Sequence, residues 1–401
     1  MVCGLRSLFR SPLILLLCLS ATLITSCSSC SRPSPPLPVP PATVPRIRVL
    51  LVDGAKTAQV AVRGAYEVRT VNGAAATPGP LAQGDKLSAR NIRTDGIDLV
   101  VDDLLRTSQP IEIVPDRVPV ELNGRRYRGS LQVSLFRGSL RIVNVIDLEG
   151  YLRGVVPAEV PPKWPAAALE AQAIAARTYA LARLAQTASR PFDVYATVTD
   201  QAYSGYEGEA NGTDDAVAAT AGLVLHYRDK LFTAYYSACC GGHTADGRIV
   251  FRDRSPLPPA PMWGAPCGYC NSAPRFRWSV RIPLKDAAAK LGEPNLTGIA
   301  LLDVRPDGRP ADIRLVPSKG PNVILSAQGF RERLRLWSTL FTARADGADF
   351  VFDGFGWGHG VGLCQWGAYG MAKAGKSRDE ILAKYYPGAT LARAYAVNRQ
   401  Q

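Results

Sequence analysis

Short runs of alternating apolar and polar residues recur between residues 47 and 145. The clearest of these runs are residues 47–50, 60–62, 99–101 and 131–135. A period of two is typical of β-strands with one buried face. Asn123-Gly124 is the clearest tight turn, because both residue types accept the positive φ of a two-residue hairpin. We therefore predict an all-β lobe here, beginning with a β-rich region over residues 46–109; it contains no His or Cys.

A helical pattern follows this lobe. Pro165 suits the first position of a helix, and residues 166–186 are alanine-rich helix formers without Gly or Pro. Strands are predicted at residues 223–227 and 231–236, and Ser377-x-x-Glu380 is a capping box for a last helix that ends at residue 385 or 386. The predicted fold class is α+β: a β-rich N-terminal lobe and a mixed α/β core, with the alanine-rich helix beside a cleft.

The first 45 residues have the composition of an export signal and a spacer. Arg6 and Arg10 precede an apolar run at residues 13–19, and small residues lead to Cys27. This layout resembles a bacterial lipoprotein signal, which implies cleavage before Cys27 and lipidation of its thiol; a plain signal peptide or an uncleaved anchor is the alternative. Residues 27–45 are rich in Pro and Ser and predict an extended linker.

The charge of the chain narrows the choice of partner. The formal net charge is +13, and only two of the basic residues, Arg6 and Arg10, lie in the first 26 residues. A basic surface concentrates acidic polymers without specifying which one. An exported chain favours polymers of the cell envelope over nucleic acid, although an unspecialised basic surface would have the same composition.

One acidic residue, Glu159, stands in a segment that proline restricts. Pro157 precedes it by two residues, and Pro161 and Pro162 follow it. Proline fixes φ and pushes the preceding residue toward extended conformations, so we expect a loop that loses little entropy on folding. A general acid or base needs such fixed placement. The alternative is an ordinary solvated glutamate.

Other polar residues cluster near this segment in the sequence. The alanine-rich helix carries few polar or large side chains, which could point into a cleft or form a solvated face. The segment after it contains several polar residues close together, and a loop is needed if neighbours are to serve one site. The candidates from these two segments are Gln172, Arg177, Asp200, Gln201 and Tyr203.

Two pairs of potential metal ligands lie between residues 239 and 270. Cys240-x-x-His243 and Cys267-x-x-Cys270 have the spacing of a tetrahedral zinc site, with Cys239 as a spare. The competing interpretation is one or two disulfides, which an oxidising compartment would favour. In both cases we expect a structural role. A zinc ion with four protein ligands has no open position for a substrate.

Residues 355–370 are dense in glycine and also carry His359, Gln365 and two tryptophans, Trp357 and Trp366. Glycine at this density indicates close approach of the backbone to something else. One interpretation is the floor of a substrate groove whose aromatic rings stack on sugars. The other is tight packing between a loop and the helix that follows.

Five ordered motifs together resemble the stage II sporulation protein D family, also called the amidase enhancer or LytB domain. The motifs are YLRGVVPAEVP, EAQAIAARTYA, DQAYSG, CCGGHT and GWGHGVGLCQWGAYGMA. The resemblance covers roughly residues 110–392. Five motifs in one order make chance agreement improbable.

The resemblance implies a function. Members characterised as enzymes are lytic transglycosylases, which cleave peptidoglycan glycan strands stripped of stem peptides and leave 1,6-anhydromuramic ends. The family's catalytic glutamate corresponds to Glu159. Arg177 or a neighbouring basic residue would then meet the lactyl carboxylate of muramic acid, and the other polar candidates would hold sugar hydroxyls: Gln172, Asp200, Gln201, Tyr203, His359 and Gln365.

The rival hypothesis is a glycan-binding module that stimulates a separate amidase, and a zinc hydrolase is a third, weaker one. A zinc hydrolase would need an open metal position. The complete prediction divides the chain into a lipoprotein signal peptide (1–26), a linker (27–45), a β-rich region (46–109), a catalytic domain (110–392) and a tail (393–401). The predicted partners are peptidoglycan strands, the membrane through the lipid anchor, and an amidase; zinc would be structural.

Overall fold

The computed structural model describes residues 43–71, 83–102 and 104–396. These residues belong to one compact unit. Cys27, the predicted signal peptide and most of the predicted linker lie outside the described residues, as does the end of the predicted tail. In the part of the chain that the structure describes, no helix is long and apolar enough to cross a membrane.

The N-terminal lobe consists of strands, as the alternating pattern predicts. Its strands are β1 Arg46–Ala55, β2 Thr57–Val62, β3 Tyr66–Thr70, β4 Gln83–Gly84, β5 Leu87–Asp95, β6 Asp98–Val101, β7 Leu105–Thr107, β8 Ile111–Pro115, β9 Val120–Leu122, β10 Arg125–Tyr127, β11 Ser130–Phe136 and β12 Ser139–Asp147. The predicted hairpin turn is confirmed: Asn123 and Gly124, with φ of 50° and 78°, join β9 to β10.

Three helices and one short strand continue the chain. They are α1 Leu148–Glu159, α2 Ala166–Gln186, β13 Val194–Tyr195 and α3 Asn211–Ala219. Asp147 begins α1, because its carboxylate accepts a hydrogen bond from Gly150 N at 2.8 Å. The predicted alanine-rich helix is confirmed as α2, and alanines on several of its faces are fully buried, which permits close helix packing.

Two sheets carry the lobe. One has the order β13-β1-β12-β11-β8-β3-β4, and the other β10-β9-β2-β5-β6-β7. Apolar side chains between them form the first core, to which α1 and part of α2 contribute. Strands from both sides of position 110 share these sheets, since β1 pairs with β12 along most of its length. The predicted division at position 110 is therefore not a division of the fold.

The C-terminal half of the chain begins with four short elements: β14 Leu223–Tyr227, β15 Lys230–Leu231, β16 Tyr236–Ser237 and α4 Gly247–Val250. It ends with four elements: β23 Leu363–Cys364, α7 Gln365–Lys373, α8 Arg378–Tyr385 and β24 Thr390–Arg393. These segments and α2 enclose a second apolar core. The predicted strand at 231–236 is present only at its two ends. Between them Tyr235 N donates to the Thr233 carbonyl at 2.9 Å, and the Tyr235 ring stacks on Phe251 at 4.1 Å.

A region that the sequence pattern does not predict separates these two groups. It contains β17 Arg277–Pro283, α5 Leu284–Leu291, β18 Leu296–Leu302, β19 Asp312–Pro317, β20 Val323–Ser326, α6 Ala327–Leu334, β21 Phe341–Asp346 and β22 Asp349–Phe355. Its two three-stranded sheets have their own core around Phe330 and Phe352. The whole architecture is α+β, as predicted, and the capping box at Ser377 and Glu380 is present at the start of α8.

Candidate active site

Glu159 is the last residue of α1, whereas the sequence predicts it in a loop. The helix reaches this far because Tyr151, Leu152 and Val155 anchor one face of it in the first core. Pro157 costs one backbone hydrogen bond in the last turn, but Val160 N still donates to Val156 O at 3.0 Å. The carboxyl group is thus fixed at the end of a rigid element rather than by the prolines alone.

Three neutral donors surround the Glu159 carboxyl group. Its Oε1 accepts a hydrogen bond from Ala202 N at 2.8 Å, and its Oε2 accepts one from Gln365 Nε2 at 3.4 Å. The Tyr236 hydroxyl donates a third. Among the described residues, the hydrogen-bond partners of this carboxyl group therefore include no cation and no second acid.

The environment raises the pKa of Glu159. Desolvation by the surrounding protein is the main cause, and the hydrogen bonds from Ala202, Gln365 and Tyr236 oppose it. The C-terminal end of a helix carries partial negative charge, which acts in the same direction as desolvation. A carboxyl group with a raised pKa can hold a proton at a pH where a solvated glutamate has lost it, as a general acid must.

Tyr236 is held by a fully buried amide. Gln201 Nε2 donates to the Tyr236 hydroxyl at 2.8 Å, so the hydroxyl hydrogen is free to point at Glu159. Gln201 is itself fixed by Tyr151 and by the Ala176 carbonyl. Desolvation raises the pKa of Tyr236 well above its usual value, so the phenol stays protonated.

Sequence reasoning misses Tyr236. It lies at the end of the predicted strand at 231–236, and its neighbours in the sequence have no catalytic pattern. The usable signal is its position at the start of the segment that leads into CCGGHT. The pairing of β16 with β23 places it on the strand next to the segment of Gln365, and both side chains hydrogen-bond Glu159.

Comparison with known sequences places this chain in a protein family. A family model described as Stage II sporulation protein matches residues 136–227, which include both Glu159 and Gln201. An uncharacterized protein of Brachyspira hyodysenteriae is 35% identical over 283 residues, 70% of this chain and 76% of that protein. The chain belongs to the stage II sporulation protein D family. The resemblance of the five motifs is thereby confirmed.

Two relatives with descriptive names extend this comparison. Stage II sporulation protein D of Bacillus amyloliquefaciens is 29% identical over 282 residues, 66% of this chain and 79% of that protein. The amidase enhancer of Bacillus subtilis is 28% identical over 363 residues, 76% of this chain but 48% of that protein. The family similarity therefore extends well beyond the residues that the family model matches.

In this member of the stage II sporulation protein D family, Arg177 is not at the surface of a cleft. Its side chain is fully buried and forms an ion pair with Glu149 at 2.7 Å. Its remaining donors reach Thr220 and two backbone carbonyls, those of Val217 and Leu223. The structure thus corrects the expectation that Arg177 meets a substrate carboxylate, because its hydrogen-bonding capacity is used inside the core.

Asp200 and Tyr203 also have internal partners. Asp200 accepts hydrogen bonds from the Tyr179 hydroxyl at 2.7 Å and from Tyr195 N at 3.0 Å. Tyr203 packs on Tyr151 and donates to Asn144 at 2.9 Å. Neither contacts Glu159; both instead hold the loop that presents the Ala202 amide.

His359 lies behind Tyr236 and not beside Glu159. Its Nδ1 accepts a hydrogen bond from Val361 N at 3.0 Å, and the ring also bonds the Tyr236 backbone. Burial lowers the pKa of His359 to about 3, so the ring is neutral. Gln172 is 1% exposed, and neither atom of its amide has a hydrogen-bond partner among the described residues. Of the predicted polar candidates, the structure thus brings Gln365 directly, and Gln201 through Tyr236, to Glu159.

An aromatic cluster is formed by the two segments that carry Glu159 and Gln365. Trp164 follows Glu159 by five residues, and Trp366 directly follows Gln365. The ring centroids of Trp164, Trp366 and Tyr369 lie 5.0 to 5.4 Å apart, and all three rings are half-buried. Partly exposed aromatic rings beside an acid can accommodate the apolar faces of sugars. Trp357 is elsewhere, edge-on to Trp337 at 5.8 Å.

The cysteine cluster differs from the prediction in one ligand. The sulfur atoms of Cys240, Cys267, Cys270 and Cys364 all lie within 4.8 Å of one another. His243 is not part of this group. Its Nδ1 hydrogen-bonds the Thr244 carbonyl at 2.7 Å, and its ring lines a separate cavity of about 280 Å³. The sequence offers no reason to choose Cys364, which is 94 residues from Cys270, because only the β16–β23 pairing brings it close.

Proposed function

We propose that this protein is a peptidoglycan lytic transglycosylase that uses Glu159 as its single general acid and base. The proposed substrate is a glycan strand without stem peptides, and the products have 1,6-anhydromuramic ends. The observation that supports this best is one desolvated carboxyl group with a raised pKa, held by neutral donors. A hydrolase would canonically need two carboxyl groups.

In the reaction Glu159 gives up one proton and recovers another, so it ends in its starting protonated form. Protonated Glu159 gives its proton to the glycosidic oxygen as the bond to C1 of muramic acid breaks. The resulting carboxylate then takes the proton of the C6 hydroxyl as that oxygen bonds to C1. No water is consumed, and the attacking group is already part of the same sugar, which is an entropic advantage.

The donors around Glu159 suit both halves of this cycle. Desolvation favours the protonated acid, whereas Ala202 N, Gln365 and Tyr236 stabilise the carboxylate. Because these effects oppose each other, the pKa of Glu159 is neither so high that the group is always protonated nor so low that it is always ionised. Gln201 and His359 act indirectly, because they position Tyr236.

The surroundings of the site fit a glycan. Trp164, Trp366 and Tyr369 provide a half-buried aromatic surface on the segments that carry Glu159 and Gln365. The net charge is +13 for the full sequence and +11 without Arg6 and Arg10 of the predicted signal peptide, which suits a strand whose lactyl groups are free carboxylates. We further propose that Cys27 carries a lipid that anchors the protein in the cell envelope, on the outer face of a membrane.

A second candidate function follows from one relative. The protein of Bacillus subtilis that is 28% identical is named amidase enhancer. The corresponding proposal is a glycan-binding module that stimulates a partner amidase. It requires no proton transfer by Glu159, so substitution of this residue separates the two functions.

The experiment is mass spectrometry of the products formed from denuded glycan strands by the purified protein. Glu159→Gln is compared with wild type, and Glu67→Gln, an exposed glutamate on β3, is the matched control. We expect anhydro-ended fragments from wild type and Glu67→Gln, and a loss of at least about a thousandfold in rate for Glu159→Gln. Intact strands with all three proteins, each folded and retained on glycan, would contradict the transglycosylase and support the binding module.

A further inference from the structure

Four buried thiols converge beside the candidate active site. The Sγ atoms of Cys240 and Cys270 are 3.7 Å apart, and all four sulfurs of the cluster lie within 4.8 Å of one another. A tetrahedron with zinc–sulfur bonds of about 2.3 Å has edges of about 3.8 Å. The described cysteines are free thiols, and a disulfide would need about 2.05 Å between sulfurs. The spacing therefore matches a metal centre better than a disulfide.

The surroundings of these sulfurs are those of a thiolate site. Cys364 Sγ accepts hydrogen bonds from two backbone amides, Cys240 N at 3.2 Å and Gly367 N at 3.3 Å. Cys267 Sγ lies 3.1 Å from the Tyr385 hydroxyl. Such hydrogen bonds orient the ligands of a metal and stabilise negative charge on sulfur.

Two of the four cysteines lie on the segments that carry the donors to Glu159. Cys364 directly precedes Gln365, and Cys240 follows Tyr236 by four residues. The segments pair as β16 and β23, with Tyr236 opposite Leu363. Beyond the strands, one backbone hydrogen bond, from Trp366 N to Ala238 O at 3.0 Å, continues the contact. A bond between Cys240 and Cys364 through a metal would lock the two segments together.

We propose that Cys240, Cys267, Cys270 and Cys364 bind one Zn²⁺, and that this centre fixes the positions of Tyr236 and Gln365 at Glu159. The first half depends only on the sulfur geometry, and the second half rests on the proposed function. Four protein ligands leave no open position, so the centre is structural and takes no part in the chemistry. The cysteines are positioning residues, which act through Tyr236 and Gln365.

Metal analysis of the purified full-length protein tests the first half. We expect one zinc per chain, and X-ray absorption should give four sulfur neighbours at about 2.3 Å. Cys364→Ser should lose most of the zinc. Cys239→Ser, the adjacent cysteine outside the cluster, and His243→Ala should keep it. A site with three sulfurs and one nitrogen, loss of zinc in His243→Ala, iron in place of zinc, or no metal in wild type would overturn the proposal.

Hydrogen exchange tests the second half without reference to activity. Zinc is removed from wild type with a thiol-reactive mercurial and a chelator, so the result does not depend on a variant that folds. We expect the amides of residues 236–241 and 363–367 to exchange at least about tenfold faster in zinc-free protein, while those of β11 and β12 do not change. Unchanged exchange in the two segments would overturn the positioning role.

Glycan cleavage is measured separately on the same samples. Loss of cleavage together with faster exchange, and recovery of both on return of Zn²⁺, supports the proposal. Zinc-dependent exchange in a protein that never cleaves glycan supports the metal centre and its hold on the two segments, and overturns only the proposed function. Full cleavage by the zinc-free protein would overturn the positioning role.

Discussion

A single carboxyl group at the end of a helix is the central feature at the scale of residues. Glu159 is desolvated, and its only polar contacts among the described residues are neutral donors. Each donor stabilises the carboxylate without adding charge. The pKa of the group therefore depends on individual hydrogen bonds, and removal of one should be visible in a pH profile.

Replacement of Tyr236 by Phe tests this dependence. For a general acid, turnover falls as pH rises through the pKa of Glu159, because the protonated form is lost. The Tyr236 hydroxyl lowers that pKa, so Tyr236→Phe should raise it and move the alkaline fall of kcat to higher pH. The maximal kcat should drop by about tenfold to a hundredfold, as expected for a lost hydrogen bond to a charged group.

The control for this experiment is Tyr195→Phe. Tyr195 is 42% exposed, and its ring contacts Phe192 away from Glu159. Its pH profile should match wild type. An unshifted alkaline limb in Tyr236→Phe would show that Tyr236 does not act on the proton of Glu159.

At the scale of elements, one buried ion pair joins α1 to α2. Arg177 on α2 pairs with Glu149 on α1 and also bonds the segment that leads into β14. Arg177→Ala would leave Glu149 without its partner and remove three further hydrogen bonds. We expect a loss of about 3–5 kcal/mol in the free energy of unfolding, measured by denaturant titration.

Arg378→Ala is the matched control for Arg177→Ala. Arg378 pairs with Glu170 at 3.2 Å, but both side chains are partly exposed. Its loss should cost about 0–1 kcal/mol. Equal costs for the two variants would mean that burial of the Arg177 pair has no structural importance.

The glycine-dense segment is explained by packing against a neighbouring backbone. Gly362 has φ of +71°, and a Cβ at this position would lie within 2 Å of the Tyr235 carbonyl oxygen (1.9 Å). Gly362→Ala must therefore displace either β23 or the Tyr235 segment, and with it Gln365. We expect a loss of more than about 3 kcal/mol in the free energy of unfolding, by the same measurement.

Gly347→Ala is the control that distinguishes the steric cost of an added Cβ from the cost of a left-handed backbone. Gly347 has φ of +63°, but a Cβ there would have no heavy atom within 4 Å. Its cost should be about 1–2 kcal/mol, the strain of a left-handed residue alone. If Gly362→Ala costs no more than this, the close approach to Tyr235 does not constrain the segment.

At the scale of the whole molecule, the net charge of +13 predicts salt-sensitive binding of an acidic strand. Raising the salt concentration from about 0.1 M to about 1 M shortens the Debye length from about 10 Å to about 3 Å. The KM for denuded glycan should then rise at least about tenfold with little change in kcat, measured by initial rates. Binding of an uncharged chitin oligosaccharide serves as the control and should not change. A KM for denuded glycan that is independent of salt would show that the charge does not recruit the strand.

The sequence pattern was sufficient for features that depend on neighbouring residues. Alternation predicted the strands of the N-terminal lobe, alanine content predicted α2, and Ser377 with Glu380 predicted the start of α8. These features follow from local periodicity and capping, which do not need distant contacts. The loop predicted around Glu159 was wrong: Glu159 ends helix α1, because burial of the apolar face of this helix outweighs Pro157 in its last turn.

The sequence by itself thus determined the family through its ordered motifs and the α+β class through local periodicity, and it singled out Glu159 as a candidate acid. Tertiary structure alone decided which side chains meet that residue. Tyr236 and Gln365 are 129 residues apart and become neighbours only through the parallel pairing of β16 with β23. The same pairing brings Cys364 into the cysteine cluster, in the place that the sequence predicted for His243. No local pattern records such a contact, because it depends on how distant segments pack and not on the spacing within either one.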